Sequence, residues 1–93
     1  MDELVAVILR FDGAASDIVP RWRRAVELWQ ERYPDFAPPS QSFVGESEHG
    51  GVVVVNFFAS DQDHLNFGQK MGTPLAEAGL TTPSIEHVNV APS

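Results

Sequence analysis

Residues 50–80 read GGVVVVNFFASDQDHLNFGQKMGTPLAEAGL, and the chain is organised around them. Gly50-Gly51, following His49, supply the positive φ values that a tight hairpin turn requires. Val52 to Ala59 is a run of β-branched and aromatic residues. It predicts a strand apolar on both faces, and such a strand is covered on both sides. Ser60 then caps a helix, with Asp63 in a shortened form of the capping box. His64, Phe67, Gly68, Met71 and Leu75 recur at helical spacing on one side. Gly72-Thr73-Pro74 predicts an interruption, with Thr73 capping and Pro74 opening a second short helix. Gly79 closes that helix in the left-handed region, and Leu80 folds back onto it.

Upstream, Leu4–Phe11 (LVAVILRF) is a second strand apolar on both faces. Leu4, Ala6 and Ile8 point one way, and Val5, Val7, Leu9 and Phe11 the other. Asp12-Gly13 breaks it. A helix follows over Asp17–Tyr33, capped by Ser16 or Asp17, with Pro20 in its first turn and Pro34 as its stop. Its apolar stripe is Ile18, Trp22, Ala25, Val26, Trp29 and Tyr33. Beyond a Pro-rich connection over 35–40, residues 42–48 form a polar strand interrupted by Gly45, which suits a sheet edge. Residues 84–90 form a last strand of mixed polarity, also an edge, and 91–93 a tail.

The order β-α-β-β-α-β with right-handed, uncrossed connections predicts an α+β fold of the ferredoxin-like kind. Its four-stranded antiparallel sheet has the order 4-1-3-2, with both helices on one face. The two apolar strands take the centre. Two helices shield only one sheet face, so several hundred Å² of apolar surface would be left to water. At roughly 25 cal/mol per Å², covering it contributes on the order of 10 kcal/mol before ordering costs. A second copy of the chain, sheet against sheet, is the expected cover.

GGVVVVNFFAS, the helix after it, PLAEAGL and the final strand together resemble the dimeric α+β barrel superfamily. The likeness is nearest to its antibiotic-biosynthesis-monooxygenase-like members, small bacterial proteins with the same Gly-rich hairpin and Pro-Leu…Gly-Leu ending. It spans nearly the whole chain, but the motifs specify a turn, a strand and a cap rather than a reaction. The resemblance implies a homodimer that binds a small apolar or aromatic molecule. It also implies monooxygenase or isomerase chemistry without a cofactor, because the substrate can supply the electrons. A non-catalytic ligand-sensing or assembly module is the alternative, since the superfamily holds both kinds. Members that degrade haem pair a helix histidine with a first-strand asparagine and a tryptophan. Here the first strand has no asparagine and both tryptophans lie in the first helix, so no haem is expected.

Composition narrows the classes further. The 93 residues fit one domain. A net charge of −7 opposes nucleic-acid binding. Arg21, Arg23, Arg24 and Arg32 are interleaved with Asp17, Glu27 and Glu31, the pattern of a solvated face with i,i+4 pairs. Cysteine is absent, which removes thiolate and disulfide chemistry. The apolar run Leu4–Leu9 is too short for a signal-peptide core or a membrane span, so a cytoplasmic location and no membrane partner are expected.

No motif of high catalytic specificity occurs, and the three histidines lack metal-ligand spacing. Candidate polar pocket residues are Asn56, His64 and His87, with Trp22, Trp29, Phe67 and Met71 as apolar wall. Asn56 lies mid-strand, where a buried amide either satisfies core partners or orients a ligand. His64, in the first helical turn, is either a surface or capping residue or a neutral imidazole able to act as a base, because a helix N-terminus disfavours its charged form. His87 shares a strand face with Asn89. The tryptophans are either core or a stacking surface for a planar ligand. A ligand site calls for a cavity of about 300 Å³ or more, and a filled interior favours the non-catalytic module.

Overall fold

The computed structural model describes residues 4–90. Its elements run β1 (Leu4–Phe11), α1 (Ala15–Arg32), β2 (Gln41–Glu46), β3 (Val52–Phe58), α2 (Asp61–Glu77) and β4 (Ser84–Val90). The strands form one antiparallel sheet ordered β2-β3-β1-β4, the expected 4-1-3-2 read from its other edge. The tail expected at 91–93 lies outside the described residues. Among the described residues no helix is long and apolar enough to cross a membrane.

Alternation along the central strands separates the two sheet faces. Val5, Val7, Leu9 and Phe11 of β1 and Val52, Val54, Asn56 and Phe58 of β3 are all buried on the helix-covered side. They pack with Ile18, Trp22, Ala25 and Trp29 from α1 and with Phe67 and Met71 from α2. On the opposite face Ile8, Val53, Val55 and Phe57 are only partly buried. Toward the edges of that face, Leu4, Phe43, Val88 and Val90 are exposed. The sheet is therefore apolar on both sides and helix-covered on one. At one end of the open face, Arg10 pairs with Glu86 at 3.1 Å across the β1–β4 ladder.

Two of the four positive-φ glycines fix the ends of elements beside the core. Gly51, at φ 83°, closes the β2–β3 hairpin, and a β-carbon there would stand 2.6 Å from the Phe11 carbonyl oxygen. Gly79, also at φ 83°, ends α2. Leu80 N then bonds to Leu75 O at 2.9 Å, the fold-back expected of that ending.

Several local expectations are corrected. The first helix begins at Ala15, after Ala14, with no side-chain cap rather than with Ser16 or Asp17. The Ala14 carbonyl accepts from Asp17 N and Ile18 N, while the Asp17 carboxylate is engaged by Arg21 four residues on. Tyr33 is the C-cap of that helix rather than its last residue. The second strand covers Gln41–Glu46 rather than 42–48, because Ser47 is drawn into the turn by bonds to Gly50 and Gly51. The third strand stops at Phe58 instead of Ala59. The largest correction is α2, which is one continuous helix through Gly72-Thr73-Pro74. Pro74 is buried in the core, and that packing overrides the local preference for a break. Ser60 caps this helix as expected, its Oγ accepting from Asp63 N at 3.1 Å.

Candidate ligand-binding site

Between α2 and the helix-covered face of the sheet lies a cavity of about 220 Å³. Its floor is Val7 and Leu9 of β1 with Asn56 and Phe58 of β3. Its roof comes from α2, where His64, Phe67 and Met71 line the inner side. Gly68, Gly72 and Ala76, each four residues after the last, leave the roof without bulky side chains. The rim includes Thr82 and Ile85, and Ile85 is 61% exposed although it stands on the helix-covered face beside Leu9.

Asn56 is the one buried polar residue among the described residues, at 1% exposure. It stands opposite Ser42 in the β2–β3 ladder, and the Ser42 hydroxyl donates to its Oδ1 at 2.5 Å. The oxygen is thus occupied from the β2 side. Asn56 also lines the cavity, where an amide can supply N–H donors.

His64 projects from the first turn of α2. Burial lowers its pKa from the ordinary 6.5, with His87 nearby acting in the same direction and Asp61 opposing them. The imidazole is thus biased to its neutral form, which can accept a hydrogen bond or a proton. His87 does not line the cavity. It stands on the helix-covered face of β4, opposite Val7, and its ring stacks on His64 with centroids 5.1 Å apart.

Of the candidate wall residues, Phe67 and Met71 line the cavity, whereas Trp22 and Trp29 do not. The two indoles are core residues at 3% and 1% exposure. Trp22 packs on Phe11, and Trp29 packs between Tyr33 and Phe67. Sequence reasoning missed Ser42, Gly68 and Gly72. A polar residue opposite Asn56 in the hairpin register was the available signal for the first. Two glycines four apart inside a helix were the signal for the others. Among the described residues no group of three or more His, Cys, Asp or Glu side chains is placed to hold a metal ion.

No protein-family profile matches the chain, and no curated protein matches its sequence. Solved structures do match its fold. SnoaB, a cofactor-independent oxygenase from Streptomyces nogalater, superposes with a TM-score of 0.69 at 13% identity, over 100% of this chain and 97% of the other. The ActVA-Orf6 monooxygenase of Streptomyces coelicolor, solved with the ligand nanaomycin D, gives 0.66 at 20% identity over 99% and 90%. A protein of unknown function from Nitrosomonas europaea gives 0.67 at 15% identity over 98% and 92%. The chain thus has the ferredoxin-like fold of the antibiotic-biosynthesis-monooxygenase-like proteins.

Proposed function

We propose that this protein is a homodimer that binds a small aromatic molecule beneath α2 and oxidises it without a cofactor, with isomerisation as the related chemistry. The observation that carries this reading is the cavity itself, apolar in its walls, with one amide and one neutral-biased imidazole in its lining. Pockets of this composition use a few placed polar groups to orient an otherwise apolar ligand. The volume sets the size class. A dry cavity of about 150 Å³ holds benzene, so 220 Å³ suits one or two fused rings. SnoaB and the ActVA-Orf6 monooxygenase lend support from fold alone. In such an oxidation dioxygen is the oxidant and the substrate supplies all the electrons, one oxygen atom entering the product and the other leaving as water, while Asn56 and His64 hold the polar edge of the substrate. The dimer covers the open face of the sheet, where Phe43 is 58% exposed.

One observation favours the second reading, a non-catalytic ligand-sensing or assembly module. At 220 Å³ the cavity falls short of the roughly 300 Å³ at which ligand pockets begin. The two readings separate in a thermal-shift screen of one- and two-ring aromatics, followed by product analysis in air-saturated buffer. Oxygenation of a bound compound, reduced in His64→Ala, supports the enzyme. Binding with no turnover supports the module. No stabilisation by any compound removes both ligand readings. Sedimentation of the same sample at high concentration should give a species of twice 10.2 kDa, and a lone monomer removes the dimer.

A further inference from the structure

At the end of the cavity nearest the start of α2, the His64 ring is held between two others. Phe58 lies 5.6 Å away, tilted by 49°, and His87 lies 5.1 Å away, nearly parallel at 22°. His87 has a carboxylate beside it in turn, its Nε2 standing 3.5 Å from Oδ1 of Asp61, the first residue of α2. A β-carbon at Gly68 would meet His64 at Cε1, the carbon between its two nitrogens, at 3.9 Å. Gly68 and His64 both line the cavity, so this ring carbon lies on its roof side.

We infer that Asp61 and His87 are positioning residues for His64, holding its imidazole at the cavity wall as a hydrogen-bond acceptor for an O–H or N–H group of the ligand. This rests on the ligand reading above and adds the chemistry that the ligand must present.

The charge arrangement follows from the geometry. A positive charge on the stacked neighbour would repel a proton on His64, so His87 acts to lower the His64 pKa. Burial and the neighbouring His87 disfavour the charged form of His64, and Asp61 opposes them. Among the described residues, the charged groups that act on His64 are His87 and Asp61. From its own helix the titratable groups of the first turn are Asp61 and Asp63, and β4 contributes His87. β3 contributes the apolar Phe58, and β1 contributes Val7, paired with His87. The Arg10–Glu86 pair stands on the opposite face of the sheet.

The test uses the full chain, with His64 followed by NMR titration in the wild type, His87→Gln and Asp61→Asn. His87→Gln removes the like charge and should move the His64 midpoint up. Asp61→Asn removes the opposing carboxylate and should move it down, with Asp61→Glu restoring it. A purely structural disturbance has no reason to act in opposite directions. The second readout is binding of 2-naphthol against naphthalene, equal in ring area and different by one hydroxyl. The wild type should prefer 2-naphthol by about 3–10-fold above the His64 midpoint, the range a net hydrogen bond supplies. The pH at which that preference disappears should track the midpoint, rising in His87→Gln and falling in Asp61→Asn. His64 midpoints that stay fixed, or shift in the same sense in both variants, overturn the coupling whatever the binding result. Failure of the wild type to bind either compound overturns the ligand reading and the acceptor role with it, while the titration still separates that failure from loss of the coupling.

Discussion

Against the central strands the space between helix and sheet is filled under α1 and hollow under α2, while an open groove lined by Trp22, Val26, Ser42 and Val44 separates α1 from the β2 edge. The first helix lays Trp22 and Trp29 against the sheet, each almost fully buried. The second presents Phe67 and Met71 but also Gly68, Gly72 and Ala76 along the cavity. Both helices are of similar length, 18 and 17 residues, and both sit on the same face of one sheet. The difference lies in side-chain volume. A glycine in a helix interior costs roughly 0.5–1 kcal/mol relative to alanine, and α2 carries two. The fold thus gives up stability where it encloses space and recovers it where it does not.

The comparison breaks most directly on the filled side. Trp29→Ala should destabilise by about 3–5 kcal/mol, the cost of removing a large buried aromatic. Urea unfolding measures this, and a loss below about 1 kcal/mol would mean that α1 is not the packed half. Trp29→Phe should cost far less. The indole Nε1 is buried without a hydrogen-bond partner among the described residues, so removing it relieves a desolvation penalty of about 1–3 kcal/mol that offsets lost volume.

The hollow side responds in the opposite sense. Gly68→Ala and Gly72→Ala should each stabilise by roughly 0.5–1 kcal/mol. A β-carbon at Gly68 makes only an ordinary contact at 3.9 Å, and one at Gly72 meets nothing within 4 Å. Gly72→Leu should instead occupy the cavity and weaken any bound aromatic by about tenfold or more while the chain stays folded. Thermal unfolding with and without ligand reads both effects. Destabilisation by the alanines would show that the glycines serve the backbone rather than the space.

How legible this contrast was in the sequence depends on the signal each half carries. The indole stripe of α1 follows from spacing alone, because large apolar residues at helical intervals have few destinations other than a core. The sheet order likewise follows from which strands are apolar on both faces. The hollow was harder to read. Gly72-Thr73-Pro74 suggested a break, since glycine and proline disfavour helix locally, and only the burial of Pro74 shows why the helix continues. Once it continues, Gly68 and Gly72 fall on one side and become the roof of a cavity instead of turn residues. Asn56 and His64 could be named from the sequence, but not the Ser42 bond or the His87 stack. Those depend on strand register and on distances between elements far apart in the chain.

The smallest expected effect separates the two halves by pH. The histidines are His49, His64 and His87, and α1 contains none, so mild acid acts on the packed half only indirectly. His64 has a folded pKa below its ordinary 6.5, chiefly through burial. Between those two values the unfolded chain binds more protons than the folded one, so stability is intact above about pH 6.5 and declines as pH falls toward the lowered folded value. Carboxylates titrate further down and affect every variant alike. The unfolding temperature of the wild type should therefore drop more between about pH 7.5 and pH 5.5 than that of His64→Gln, which has no imidazole at that position to charge. Equal drops in the two proteins would place His64 in water rather than at the cavity wall. An acid-sensitive α2 half beside an indifferent α1 half would instead show that the hollow, and not the sheet as a whole, sets where protons act on this fold.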